Sequence, residues 1–302
     1  MISVIMPTYN RSEMMKQAIN SVLSQSYNDI EVVVVDDNSS DNTKEVINDF
    51  ILKGYNIKYH HNTQNMGPGY NRNKGYTLSK GEYIVFMDDD DYYTNTNFYK
   101  KAIDVLKAND NVACVSANAR IENIENQTLS SSEIGFVGLK NGEEYLLGLN
   151  KKYQKPLSTF ATIFSKKFLE CAELSKMKMV NDIAIYMRAL VFGDIYVLED
   201  VVGNYRVHGN NISTHIEKNF LIENMKERVW SFRRFKCDIK TANKWLNEQL
   251  LFCFSYYVRG SHPSGKDCCS IILWILKNTT FSCHLYKGML RILIKERKQN
   301  LH

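Results

Sequence analysis

Apolar positions along the first hundred residues follow two alternating spacings. Ile2 to Met6 is a continuous apolar run, the pattern of a strand covered on both faces. Asn10-Arg-Ser12 then supplies helix-start chemistry, and Met14, Met15, Ala18, Ile19, Val22 and Leu23 recur at helical spacing. A β-branched run from Ile30 to Val35 predicts a second buried strand. Beyond it, Asp41-Asn-Thr opens a helix carrying Val46, Ile47, Phe50 and Ile51, ended by Gly54. Asn56 to His60 predicts a third strand. A loop rich in Gly and Asn follows, then a helix to Ser79, then a fourth strand from Glu82 to Met87.

Strand–helix alternation at this spacing implies right-handed crossovers, hence an α/β fold with a mostly parallel central sheet flanked by helices. Asn111 to Ser116 and Thr159 to Phe164 read as further strands, and Asn181 to Phe192 as a helix. From about Glu217 the pattern turns helical, with Phe220, Leu221, Met225, Val229, Trp230 and Phe232 roughly in phase. No internal repeat or low-complexity linker interrupts the chain.

With 302 residues, 44% of them hydrophobic, the chain can bury one large core or a core with an appendage. The formal charge of +5 conceals an asymmetry. From Glu217 onward there are 16 Lys and Arg against 7 Asp and Glu, which leaves 22 against 26 before that point. An acidic body with a basic, aromatic tail implies a partner for the tail, an anionic membrane surface or a nucleic acid. The shift in charge sets the expected boundary near residue 215. Seven scattered cysteines, without a CxxC pair, argue against a disulfide framework or a zinc site and for a reducing cytoplasm. Met1 to Pro7 lacks the basic and long apolar regions of a secretory signal, and Cys268 to Leu276 is too short and interrupted to span a bilayer.

The chemistry concentrates at strand ends. Asp88 to Asp91, four consecutive carboxylates directly after the fourth strand, place hard oxygen ligands at the rim of a sheet. That suits Mg²⁺ or Mn²⁺ carrying a phosphorylated ligand, and ligand sites of open α/β sheets lie at such rims. A solvated turn or helix N-terminus is the bland alternative. Strand one ends in Pro7-Thr-Tyr-Asn10 and strand two in Asp36-Asp-Asn-Ser-Ser-Asp41, on the same edge in a parallel sheet. Tyr9 offers a flat face for stacking on a base, and Asp37 can accept the N–H of a uracil ring. Asp36 can hold a sugar hydroxyl or its own loop, while Asp41 reads as a turn or capping residue. The loop Asn65-Met-Gly-Pro-Gly-Tyr-Asn-Arg-Asn-Lys-Gly75 sets Arg72 and Lys74 near a helix start, a common way to hold a diphosphate.

Taken together, Pro7-Thr-Tyr-Asn10, Val34-Val-Asp-Asp-Asn-Ser-Ser-Asp41, Asn65-x-Gly67…Arg72-Asn73-x-Gly75 and Asp88-Asp-Asp-Asp91 resemble glycosyltransferase family 2 over roughly residues 1 to 215. The resemblance implies the GT-A nucleotide-diphospho-sugar transferase fold. Its donor half would cover 1–105 and its acceptor half 106–215, followed by a basic helical region over 216–302. It also implies a nucleotide-diphosphate sugar donor, a divalent cation (Mn²⁺ or Mg²⁺) and inversion at the anomeric carbon, giving a β linkage. Pro7, Tyr9, Asp37, Arg72, Asp88 and Asp89 would then line the nucleotide-sugar site. Asp90 would be the main metal contact, with Asp89 in the motif's variable middle position. Met179-Val-Asn-Asp-Ile-Ala-Ile-Tyr-Met-Arg-Ala-Leu190 looks like the family's acidic helix-start motif, which makes Asp182 the general base, with Asn181 where the family has Glu. Without the family, Asp182 reads as a plain helix N-cap. Tyr205 to Thr214 resembles a segment that closes the donor site, with His208 near the metal or pyrophosphate.

The resemblance further points to UDP as the nucleotide and to a hexose, Glc, Gal or an N-acetylhexosamine. The Gln-x-x-Arg-Trp signature of processive synthases is missing, Arg228-Val-Trp230 being only an echo, so one sugar per acceptor is expected. In the tail, Lys287, Arg291, Lys295, Arg297 and Lys298 interleave with Leu290, Ile292, Leu293 and Ile294. Such a segment either lies on an anionic leaflet or packs one face on the body. The implied setting is bacterial O-antigen or capsule assembly, with an undecaprenyl-diphosphate-linked saccharide as acceptor. The protein would be cytoplasmic and peripheral to the inner face of the membrane, with no nucleic-acid partner. Competing readings are a nucleotidyltransferase, or a catalytically degenerate protein that binds sugar nucleotide or nucleic acid.

Overall fold

Seven consecutive residues of β1 (Ile2–Thr8) are buried, and six of the seven in β2 (Ile30–Asp36). Such strands cannot alternate apolar and polar positions, which is why both read as continuous runs. A computed structural model describes residues 1–177, 180–208, 217–261, 263–279 and 282–299, the last five without side chains. Met179, the 209–214 part of the segment ending at Thr214, and the side chains of Lys295, Arg297 and Lys298 lie outside the described residues. The chain forms two compact units, Met1–His208 and Gly209–His302.

In the first unit, β1 and β2 are followed by β3 (Ile57–His61), β4 (Tyr83–Phe86), β5 (Tyr92–Tyr93), β6 (Val112–Asn123), β7 (Thr128–Ser131), β8 (Gly138–Lys140), β9 (Thr162–Ser165) and β10 (Asp194–Val207). The main sheet order is β3-β2-β1-β4-β9-β6-β10-β5, with β7 on β6 and β8 on β10. From the pairings, β3, β2, β1, β4, β6 and β10 run one way, and β9 and β5 run against them. The mostly parallel α/β sheet expected from the alternation is present. β10 is a strand that the sequence did not announce: Tyr205 to Val207, the start of the segment likened to one that closes the donor site, are the end of a 14-residue strand lying along β6.

Helices α1 (Ser12–Leu23), α2 (Thr43–Leu52), α3 (Pro68–Leu78) and α4 (Phe98–Ala108) provide the crossovers, and α5 (Gly142–Gly148), α6 (Lys166–Cys171) and α7 (Asp182–Leu190) belong to the later strands. α3 crosses β1 so closely that a Cβ on Gly75 would stand 2.3 Å from Ile5 Cγ2. The end of α3 is held by cations: Lys58 Nζ donates to Leu78 O at 3.1 Å and Lys166 Nζ to Ser79 O at 2.9 Å, satisfying carbonyls the helix leaves open. Pro7 sits inside a central strand at no cost to the ladder. Ile5 O accepts the Met87 N–H on the β4 side and Thr8 O the Asp37 N–H on the β2 side. Alternation therefore aims the missing N–H of Pro7 past the end of β4, whose pairing with β1 stops at Ile5↔Phe86.

The second unit is helical: α8 (Lys218–Phe232), α9 (Ile239–Ser261), α10 (Gly265–Asn278) and α11 (Cys283–Gln299). Leu221, Met225, Trp245, Leu250, Phe254, Ile271, Ile275, Leu285 and Met289 form its buried positions. Each large aliphatic or aromatic side chain so covered contributes roughly 1.5–3 kcal/mol.

Candidate active site

The ends of β1 and β4 are neighbours where the strand order reverses. The chain builds outward from β1 to β2 and β3, then adds β4 on the opposite flank of β1. Open α/β sheets leave a crevice at such a reversal. The aspartate tract begins there, two residues past β4, as a turn in which the Asp91 N–H meets Asp88 O at 3.3 Å.

Its four carboxylates are held in different ways, two of them sharing Arg11. Asp88 accepts from Arg72 Nη2 at 2.6 Å. Asp89 turns inward, 3% exposed, and accepts from Thr8 Oγ1 at 2.7 Å and Arg11 Nη1 at 3.0 Å. Asp90 Oδ2 meets the same Arg11 nitrogen at 2.8 Å and His208 Nε2 at 3.1 Å. Asp91 is completely buried, one oxygen accepting from Ser158 Oγ at 2.9 Å and the other without a partner. Asp89 was expected in the nucleotide-sugar site. The structure gives it a different post, pinning the tract to the end of β1.

Oxygens of Asp88, Asp90 and Asp91 lie within 4.8 Å of one another. A partnerless buried carboxylate oxygen and three converging acid groups fit a hard divalent cation. Charge points the same way. Asp88 to Asp91 and Asp182 amount to five carboxylates, and among the described residues Arg11, Arg72 and Lys155 are the permanent cations paired with them. Burial raises the Asp91 carboxyl well above its ordinary value, with the charges of Asp88 and Asp90 adding to it. Asp89 is pushed up to about 7 by burial, which Arg11 only partly offsets.

Asp182 stands at the first position of α7, and the structure corrects its reading as an N-cap. Asn181 is the cap, its side chain accepting from Ala184 N at 3.0 Å. The Asp182 carboxylate instead faces Lys155 Nζ at 3.5 Å and Arg72 Nη2 at 3.7 Å. Burial disfavours its charge, but Lys155 and Arg72 outweigh burial and hold the group below the usual carboxylate range. Arg72, buried on α3, thus stands between Asp88 and Asp182, and its charged form is strengthened by both.

On the β2 side, Asp37 carries three loop donors: Asn62 Nδ2 at 3.0 Å, Met66 N at 2.7 Å and Gly67 N at 2.9 Å. Its described partners hold the 62–67 loop, which enters α3 through Gly67 at φ +82°. Asp36 holds its own loop and strand, accepting from Ser39 N at 2.9 Å and Tyr59 Oη at 2.6 Å, with His61 Nδ1 at 3.2 Å. Asp41 accepts from Ser12 N and Thr43 N, steadying the starts of α1 and α2. Tyr9 is 47% exposed just beyond β1, and Pro7 is buried within it.

Sequence reasoning missed Arg11, Lys155 and Ser158. Arg11 had a signal: it is the N-cap of α1, where the helix dipole disfavours a cation, so another partner had to hold it. Lys155 and Ser158 lie in an irregular loop, and nothing local announces their partners.

The model of the family described as glycosyl transferase family 2 matches residues 3–171. Among curated proteins, GalNAc(5)-diNAcBac-PP-undecaprenol beta-1,3-glucosyltransferase of Campylobacter jejuni is 32% identical over 202 residues, 65% of this chain and 62% of that protein. The chain therefore spans less than two thirds of that relative. The solved structure of S. aureus TarS 1–349 with UDP-GlcNAc has a TM-score of 0.69 at 20% identity, covering 98% of this chain and 80% of that one. The Pyrobaculum calidifontis mannosyltransferase PcManGT, solved with GDP-Man and Mn²⁺, has a TM-score of 0.56 at 17% identity, covering 99% of this chain and 86% of that one. At these identities the two structures speak for the fold.

Proposed function

The chain belongs to glycosyl transferase family 2, and on that premise we propose that it moves a hexose from a UDP-sugar to a lipid-diphosphate-linked saccharide, with inversion to a β linkage and one sugar added per acceptor. The observation that carries the proposal is the convergence of Asp88, Asp90, Asp91 and Asp182 around Arg72 at the sheet's switch point.

Asp88, Asp90 and Asp91 would hold a divalent cation, which when bound offsets the charge developing on the departing nucleotide diphosphate. Asp182, ionised beside Lys155 and Arg72, takes the proton of the acceptor hydroxyl as that oxygen attacks the anomeric carbon. Arg72, fixed on α3, adds positive charge beside the donor phosphates, and His208 holds Asp90 in place. Tyr9 presents its ring to the base, and the Asp37-held loop shapes that side of the cleft.

The acceptor class is supported by the undecaprenol-linked substrate in the name of the Campylobacter relative, and the nucleotide by TarS, solved with UDP-GlcNAc. Both fit bacterial surface polysaccharide assembly. Among the described residues no helix is long and apolar enough to cross a membrane. Lys287, Leu290, Arg291 and Ile294 are exposed on α11 at helical spacing, which suits peripheral contact with an anionic leaflet.

The test is to incubate the protein with Mn²⁺ and a panel of UDP-, GDP- and dTDP-sugars and to measure nucleotide release and thermal protection. A UDP-hexose should be turned over and should raise the melting temperature. Full turnover in EDTA, or no response to any sugar nucleotide, counts against the reading.

A further inference from the structure

Asp182 and the acidic cluster are joined by one short loop. Lys155 and Ser158 stand three positions apart in the segment leading into the 3₁₀ turn Thr159–Ala161. Lys155 Nζ donates to Pro156 O at 2.8 Å and Leu157 O at 3.1 Å, so the backbone curls around its own ammonium. The same nitrogen lies 3.5 Å from Asp182 Oδ2. Ser158, buried, donates from Oγ to Asp91 at 2.9 Å, and its carbonyl accepts from Tyr186 Oη at 3.4 Å. Tyr186 belongs to α7, as Asp182 does, and its ring centroid is 5.7 Å from Lys155 Nζ. Pro156, between the two, has a fixed φ and no N–H to redirect the turn.

We infer that Lys155–Ser158 is a positioning loop: Lys155 orients the Asp182 carboxylate for proton removal, Ser158 fixes Asp91, and the loop thereby sets the spacing between base and metal cluster. The inference rests on the sugar-transfer reading above. Arg72 approaches Oδ1 of Asp182 and Lys155 approaches Oδ2, so each carboxylate oxygen has its own cation. Among the described residues, the other groups facing Asp182 are Asp88 after β4, Tyr186 on α7 and Tyr205 on β10. None of these is a cation. Without Lys155 the Oδ2 oxygen loses the ammonium beside it and the carboxylate is free to turn about its bond to Cβ.

The experiment measures UDP release from the UDP-hexose selected above for wild type, Lys155→Met, Lys155→Arg, Ser158→Ala and Asp182→Asn. Calorimetric titration with Mn²⁺ accompanies each variant. Lys155→Met should lower kcat about tenfold, the loss expected when a reacting group is no longer held in place. Donor KM and Mn²⁺ affinity should hold, and Lys155→Arg should restore kcat. Ser158→Ala should weaken Mn²⁺ several-fold, with kcat recovered at saturating Mn²⁺. Should Lys155→Met not fold, Lys155→Gln replaces it with the same expectations. A wild-type kcat in Lys155→Met beside an inactive Asp182→Asn overturns the inference alone. So does a kcat loss in Lys155→Met that Lys155→Arg fails to restore. Full turnover in Asp182→Asn removes Asp182 from the base's role and the inference with it, whereas no UDP release from wild type overturns the transfer reading.

Discussion

Asn181 accepts the first-turn N–H of α7 and so leaves its neighbour Asp182 no capping duty. The two residues divide a task that a single acidic residue at a helix start would ordinarily perform. Asp182→Asn should therefore leave the fold and UDP binding intact, while turnover drops by about 10³-fold. Comparing kcat with UDP affinity in the same variant checks both halves.

The converse substitution separates the same two roles. Asn181→Ala removes the cap and should cost about 1 kcal/mol of stability, read as a lower urea midpoint at unchanged slope. Activity per folded molecule should fall far less than in Asp182→Asn.

The acid groups of the tract should respond differently to amide replacement. Asp90→Asn, within the convergent cluster, should abolish the heat of Mn²⁺ binding. Asp89→Asn, which faces Thr8 and Arg11, should keep that heat. Equal loss of Mn²⁺ binding in both would refute the distinction between a cluster-facing and an inward-facing aspartate.

Much of this was legible in the chain, for identifiable reasons. β1 and β2 are covered on both faces, so nothing interrupted their apolar runs. β10 was not read because its register against β6 shifts between Val197 and Val201 and again between Val201 and Asn204, which breaks any simple alternation. Asp88 to Asp91 and Arg72 stood out because their spacing is local. The pairs Arg11–Asp89 and Lys155–Asp182 join residues far apart in sequence, and only the closed sheet brings them together.

Stability should depend on pH through Asp36. Burial alone would raise its carboxyl, but hydrogen bonds from Ser39, Tyr59 and His61 outweigh burial and leave it below the ordinary value. A carboxyl depressed on folding stabilises the protein above its unfolded value, near about 3.9, and that contribution disappears as pH falls through the folded value. Wild type should thus exceed Asp36→Asn in urea midpoint at neutral pH. The gap should close as the solution is taken below about pH 4.

Gly75 leaves no room on the β1 side of α3, because any added carbon meets Ile5. The two positions are therefore free to change only as a pair. Gly75→Ala alone should be poorly tolerated, and a simultaneous trimming of Ile5 to Val or Ala should recover part of the loss. Among relatives that keep this crossing, bulk at one position should be answered by its absence at the other, a correlated substitution traceable in sequences whose structures have never been solved.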